Sequence, residues 1–213
     1  MIAGEPKWRR RKEARPGEII SAALEVFAEK GFAAARLDDI AARAGVSKGA
    51  LYLYFETKQD LFTAVVREAV APNLNQVEAL VAGIDLPFAQ VTRLFYARAA
   101  ELFTTSNIGA VAKVVVGESR NFPELARVWH DEVITRALGI ITGLITRAQA
   151  KGEVRPGDPR LHAVSMIGPM LLGVLWREVF EPVGAQPMNI ADLAAQHAET
   201  VLHGLLAKEG PSA

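Results

Sequence analysis

The segment ARAGVSKGALYLYFETKQDLF, residues 42–62, constrains the fold of this chain more than any other part of it. Gly45 interrupts an apolar pattern of helical spacing, and Ser47, a common helix-capping residue, stands where the pattern resumes. Apolar residues on both sides of the interruption can share one core: Ile40, Ala44, Val46, Leu51 and Phe55. Two short helices that meet at a tight turn predict a helix-turn-helix, whose second helix enters the major groove of DNA.

The second of these helices has an outer face that suits DNA. Its backbone can approach DNA closely where side chains are small, and tyrosine hydroxyls and lysine ammonium groups suit phosphate oxygens. Thr57 caps the next helix, whose N-terminus favours anions. We therefore predict that the following residues contact DNA: Lys48, Gly49, Ala50, Tyr52, Tyr54 and Lys58. In the alternative interpretation, the tyrosines only cover the core and the lysines are only solvated. This explains each residue taken singly, but it does not explain why all of them occur together between the Gly45 turn and the Thr57 cap.

The charges favour a local contact with nucleic acid. The chain has 24 basic and 24 acidic side chains, so its formal net charge is zero and a nucleic acid would have to meet a local patch. Residues 1–15 contain six basic and two acidic side chains. We predict a basic flexible arm over residues 1–14, which is compatible with DNA contact.

Helical patterns continue to the end of the chain, and we predict an all-α fold of about nine helices. Residues 108–116 are rich in β-branched side chains and could form a strand by propensity alone. Because the chain offers no second strand to pair with them, we predict a helix there. Pro72 is expected to interrupt the long helix that begins near Thr57. The predicted domains cover residues 15–70 and 71–213.

The second domain has more aromatic and methionine side chains than a plain bundle needs. Such side chains adapt to irregular apolar ligands, so together they could line a cavity. Simple core packing is the alternative for each residue taken singly. The predicted ligand-binding residues are Phe95, Tyr96, Phe103, Trp129, Met166, Met170 and Trp176.

Two apolar helices near the end of the chain predict a dimer. The helix at about 160–180 is apolar nearly all round, so it needs partners on more than one side. The helix at about 189–208 has its own apolar stripe, which includes Leu202. Two such helices from each chain could form a four-helix interface across a twofold axis, which predicts a homodimer.

Catalytic and metal-binding patterns are weak. The chain has no cysteine, which excludes disulfides, thiolate metal sites and cysteine nucleophiles. His197 and His203 are six residues apart and lie on different helix faces, so the spacing does not suit a metal pair. No nucleotide-binding or serine-hydrolase motif occurs. We therefore predict no enzyme activity, no metal and no cofactor.

The most apolar stretch, residues 163–176, is shorter than the roughly 20 residues that a bilayer needs. We therefore predict a cytoplasmic protein with no membrane partner.

The segment LDDIAARAGVSKGALYLYFETKQDLF closely resembles the N-terminal DNA-binding domain of the TetR family of transcriptional repressors, and IISAALEVFAEKGF resembles the first helix of that family. This resemblance covers about residues 15–67. The rest is similar to the multidrug-efflux type of regulator in helix count, length and elements such as ESRNFPELA. The resemblance implies a one-component homodimeric repressor that binds a near-palindromic operator in double-stranded DNA. It also implies a C-terminal effector-binding and dimerisation domain whose small effector releases the DNA. Because the predicted ligand-binding residues are largely aromatic, we expect this effector to be lipophilic or aromatic.

The resemblance also assigns individual residues. Positions that commonly contact DNA in the family are held here by Ser47, Lys48, Gly49, Ala50, Tyr52, Tyr54 and Lys58. Arg36 stands where members usually have a threonine that caps the second helix and touches phosphate. An arginine side chain cannot accept the capping hydrogen bond, but it binds phosphate well, so Arg36 is predicted to contact DNA without capping the helix. Two alternatives stay open: a helical enzyme or small-molecule carrier with a helix-turn-helix-like start, and a transcriptional activator of the same fold.

Overall fold

A computed structural model describes residues 7–69, 71–83 and 85–207, and these residues are predominantly helical. The α-helices are α1 (Lys7–Ala34), α2 (Leu37–Arg43), α3 (Lys48–Tyr52), α4 (Lys58–Ala69), α5 (Ala71–Ala82), α6 (Phe88–Thr105), α7 (Ile108–Glu118), α8 (Pro123–Trp129), α9 (Thr135–Ala150), α10 (Pro159–Leu175) and α11 (Ile190–Leu205). A π-helical turn, His130–Ile134, joins α8 to α9, and a second, Trp176–Phe180, continues α10. The predicted all-α fold class is confirmed. Counting α4–α5 and α8–α9 each as one interrupted helix gives nine helices across the described ranges.

We call α1–α3 the head and α5–α11 the body, with α4 joining them. Residues 7–14 of the predicted arm continue α1, and residues 1–6 lie outside the described residues. Pro72 falls in the first turn of α5. Residue 70, which lies between α4 and α5, is outside the described residues, so the interruption expected from Pro72 stays a prediction.

The valine-rich segment 108–116 forms a helix, as predicted, within α7. Its apolar face packs against α1 of the head, where Val111 and Val114 are buried in one continuous core with Phe27 and Phe62. β-branched residues have only a modest preference against helices, and burial on this scale exceeds that preference. As a result, α7 connects the core of the head to the body.

The body is centred on a second core, which α6, α9, α10 and α11 enclose. α11 packs along α6, and α9 packs along α10. The apolar stripe of α11, which the sequence offers for a dimer interface, is instead buried against its own chain. This correction has a simple cause: α6 needs an apolar neighbour on that side, and α11 supplies it. The buried residues of the α11 stripe are Ile190, Ala194, Ala198, Val201, Leu202 and Leu205.

The outer face of α10 remains exposed and apolar. It carries Leu161, Val164, Leu171 and Leu172, all of them exposed. By length and composition alone, the helical stretch Pro159–Val183 could span a membrane, and α6 with α7 passes the same test only as a pair bent by 78°. A helix that is apolar nearly all round, with one face in its own core and the other left for a protein partner, has the same composition.

Candidate nucleic-acid interface

The turn between α2 and α3 has the geometry that the sequence predicts. Gly45 adopts a positive φ of 67°, which glycine tolerates without steric cost. The Val46 N–H donates to the Ala41 carbonyl at 3.0 Å, which closes the end of α2. Ser47 then caps α3, because its hydroxyl oxygen accepts the Ala50 N–H at 3.2 Å. The buried Leu51 anchors the inner face of α3 in the head core.

The outer face of α3 is open to solvent, as a DNA-reading surface requires. Ser47, Lys48 and Gly49 are exposed at its start, and Tyr52 and Tyr54 are exposed at its end. Within the described residues, a Cβ at Gly49 would meet no atom within 4 Å, so the backbone there can be approached closely. Ala50 is half-buried. The structure thus brings the predicted residues of α3 together on one side of the head.

Lys48 has a partner in the head. Its Nζ lies 2.8 Å from Oδ1 of Asp38 and 6.0 Å from the centre of the Tyr52 ring. The hydrogen bond to Asp38 raises the pKa of the Lys48 ammonium, so this group is charged at neutral pH. Both side chains are well exposed, and an exposed pair of this kind contributes little to stability. Lys48 can therefore turn toward a phosphate at small cost.

Arg36 is the N-cap residue of α2, and its side chain makes no capping hydrogen bond within the described part of the chain. This agrees with the expectation that an arginine cannot accept a backbone N–H. The guanidinium is exposed and remains a candidate for phosphate contact.

Lys58 is half-buried, and its ammonium group is bonded within the chain. Its Nζ donates to the carbonyl oxygens of Phe32, Ala33 and Ala35 at 2.6, 3.1 and 3.1 Å. An ammonium group has three N–H donors, so these bonds use all of them. Burial lowers the pKa of Lys58, and the charge of Glu118 opposes that shift. We therefore leave Lys58 out of the proposed DNA contacts.

Leu53 is a surface residue that the sequence argument missed. It follows α3 directly and is 82% exposed, between the two exposed tyrosines. An apolar side chain on this face can contact the methyl group of a thymine. Helical spacing was the available signal, because Leu51 and Phe55 hold the buried positions of this segment and Leu53, two residues from each, lies on the other face.

The predicted ligand-binding residues do not form one open cavity. Tyr96, Met166 and Met170 are buried in the body core, and the Tyr96 hydroxyl donates to the Met166 carbonyl at 2.8 Å. Phe95 and Phe103 pack at the edge of this core. The other two residues lie elsewhere. Trp129 is partly buried against the core that the head shares with α4, α7 and α8, and the indole N–H of Trp176 donates to the Gln186 carbonyl.

A groove of about 490 Å³ runs between α6 and α11. Six alanines form much of its walls, and Tyr96 is the one predicted ligand-binding residue that borders it. The Arg93–Glu199 ion pair, with 2.6 Å between Nε and Oε1, crosses its edge. Among the described residues, no group of three or more His, Asp or Glu side chains could hold a metal ion.

This fold and this exposed α3 define a helix-turn-helix DNA-binding protein with a helical body. Residues 19–65 match the family model of bacterial regulatory proteins of the tetR family, and residues 90–203 match that of the AefR-like transcriptional repressor C-terminal domain. The chain belongs to the TetR family of transcriptional regulators. Family membership confirms the prediction of a DNA-binding regulator and removes the alternative of a helical enzyme.

Individual relatives agree with this placement. The transcriptional repressor BepR of Brucella suis biovar 1 is 30% identical over 153 residues, which cover 68% of this chain and 73% of BepR. The structure of FadR from Bacillus subtilis in complex with stearoyl-CoA matches with a TM-score of 0.72 at 23% identity, over 88% of this chain and 98% of FadR. The SmeT–triclosan complex matches with a TM-score of 0.73 at 23% identity, over 92% and 93% of the two chains. The two structures show that the fold is shared.

Proposed function

We propose that this chain is a cytoplasmic one-component repressor that binds a near-palindromic operator as a homodimer and is released by a small lipophilic or aromatic effector. The observation that carries the DNA-binding part is the outer face of α3, which is exposed while its inner face is locked in the head core. The proposed DNA contacts are Arg36, Ser47, Lys48, Gly49, Ala50, Tyr52 and Tyr54.

The direct test selects an operator from a random duplex library with the purified protein and compares it with the DNA upstream of the gene. A twofold-symmetric dimer requires half-sites about 34–36 Å apart or a multiple of that distance. In a reporter strain, removal of the gene should raise transcription from the promoter that carries the operator. A fall in transcription would indicate an activator instead, and recovery of no sequence would contradict operator binding.

Lys48→Ala should weaken binding to the operator and to a random duplex by similar factors, because a phosphate contact carries no sequence information. The slope of log affinity against log salt should fall by about one unit. The control is Lys151→Ala, since Lys151 makes a comparable exposed ion pair with Asp85, but in the body. A loss confined to the operator would contradict the phosphate assignment.

We propose that the dimer forms through the outer face of α10. Monomeric proteins rarely expose a contiguous apolar patch of this kind, and a twofold axis would pair the patch with itself. The exposed leucines Leu161, Leu171 and Leu172 support this choice over the buried stripe of α11. The sequence prediction placed the dimer interface on both helices, at about 160–180 and 189–208, and the present proposal places it on the first of them.

The effector is proposed to bind in the body beside Tyr96, where the α6–α11 groove meets the core. A volume of about 490 Å³ lies within the roughly 300–1,000 Å³ of small-molecule sites. The groove walls are mostly alanine side chains, which favours a lipophilic ligand. Triclosan, bound in SmeT, is aromatic, and the acyl chain of the stearoyl-CoA bound in FadR is apolar, which supports the same class of ligand.

Operator DNA should weaken effector binding, because the two ligands favour different arrangements of the heads. Coupling of this kind is reciprocal and typically about 5- to 150-fold. The measurement is a titration of stearoyl-CoA and of triclosan, each with and without the operator duplex. Equal affinities in both conditions, or no binding of either compound, would contradict the proposed effector class.

A further inference from the structure

Two charged groups hold the connection between α1 and α2. The backbone inside α1 (Lys7–Ala34) leaves helical geometry at Gly31, whose φ is 75°. We call residues 32–36, which lead from there to the start of α2, the α1–α2 connection. Lys58, the first residue of α4, donates to three carbonyl oxygens of this connection. The Glu118 carboxylate, at the end of α7, accepts the Ala33 N–H at 3.1 Å.

Two aromatic rings pack beside the Lys58 ammonium group and the α1–α2 connection. The Lys58 Nζ lies 4.5 Å from the centre of the Phe32 ring and 5.9 Å from that of Phe122, which follows α7. The Phe32 and Phe122 rings pack edge to face with their centres 4.9 Å apart. A Cβ built on Gly31 would lie 3.0 Å from Oε1 of Glu118, so the body approaches this turn as closely as a glycine allows.

We propose that Lys58 and Glu118 are positioning residues: they clamp the α1–α2 connection between α4 and the end of α7, and thereby set the orientation of the helix-turn-helix on the body. The inference rests on the proposed function, because orientation has an effect only if the head binds DNA. It reassigns Lys58 from phosphate contact to head placement.

The geometry explains why this clamp can control α3. The connection enters α2 directly, and α2 carries α3 through the rigid Gly45 turn. Glu118 belongs to the body and Lys58 to the joining helix α4, so a relative movement of α4 and α7 must either break these bonds or carry the head with it. Coupling through such a packed junction is typically modulated about 2- to 30-fold by single substitutions.

The test compares Lys58→Met, which keeps an apolar stem but removes the ammonium, with Glu118→Ala, which lies on the body. Both should lower affinity for the selected operator by about 2- to 30-fold. Both should leave the salt slope and the affinity for a random duplex unchanged. Both should also speed hydrogen exchange of the Ala33 amide. Lys48→Met is the matched control, and it should lower the salt slope by about one unit without changing exchange at Ala33.

Lys58→Arg separates the two roles of the lysine further. A phosphate contact would be kept or strengthened by arginine, whereas a planar guanidinium cannot direct its donors at three converging carbonyl groups. We expect Lys58→Arg to behave like Lys58→Met. A lower salt slope in Lys58→Met, rescue by Lys58→Arg, or wild-type behaviour of Glu118→Ala would each overturn the proposal. If the wild-type protein and the Lys48→Met control show no salt-dependent DNA binding, the proposed function fails instead.

Discussion

Leu172→Arg should convert the protein to monomers at micromolar concentration and lower operator affinity by roughly 10²- to 10⁴-fold. Leu172 is 57% exposed on the outer face of α10, so the arginine can be solvated in the monomer but would be buried without a partner in the proposed interface. A monomer presents one head at a time and loses the gain of simultaneous binding to two half-sites. Sedimentation and operator titration measure the two effects.

The matched control is Leu86→Arg, a leucine that is 41% exposed in the connection before α6. It should remain dimeric and bind the operator normally. Leu202 on α11 would be a poor probe, because it is 2% exposed and an arginine there would disrupt the core of the chain itself. A wild-type monomer, or a dimeric Leu172→Arg variant with normal affinity, would show that the α10 face is not the interface.

Met166→Ala should lower the free energy of unfolding by about 2–5 kcal/mol. Met166 is 0% exposed and lies in the packed body core with Tyr96 and Met170, so truncation leaves a cavity lined by side chains that cannot fully close it. Urea denaturation at a fixed protomer concentration measures the change, since dimerisation makes stability depend on concentration.

Leu94→Ala is the control, because Leu94 lies on the exposed face of α6 and its truncation should change stability by no more than about 0.5 kcal/mol. If Met166→Ala lowers the free energy of unfolding by no more than Leu94→Ala does, Met166 borders a preformed cavity, as the sequence analysis predicted. If instead the large loss is measured, an effector reaching this core must separate α6 from α10. A ligand that binds more tightly when α6 and α10 are separated shifts the protein toward that arrangement. Release from DNA requires that the heads take a different position in it.

The helix-turn-helix could be predicted from the sequence because its determinants are local. Gly45 supplies the positive φ, and Ser47 caps α3 with a hydrogen bond to a residue three positions away. The inner face of α3 follows from helical periodicity, which leaves the outer face to DNA. The helix over 108–116 was also predictable, although by exclusion: its β-branched residues alone would allow a strand.

No local pattern in the sequence contains the partners that Lys58 takes in the structure. At the N-terminus of α4 a lysine is equally suited to a phosphate and to carbonyl groups, and its partners lie 23 to 26 residues away in the chain. In the folded chain the end of α1 lies beside the start of α4, and three carbonyl groups converge there on the Lys58 ammonium group. The same holds for Glu118, whose partner amide is 85 residues distant.

The order of residues along the chain was enough to predict where helices form, where the turn of the helix-turn-helix lies and which residues are apolar enough to be buried. The partner that each apolar face takes followed only from the packing of the folded chain. The stripe of α11 and the outer face of α10 are both apolar in sequence, yet α6 covers the first and leaves the second exposed. Burial is non-directional and proportional to area, so an apolar stripe does not encode its partner; the partner follows from the packing of all the helices at once.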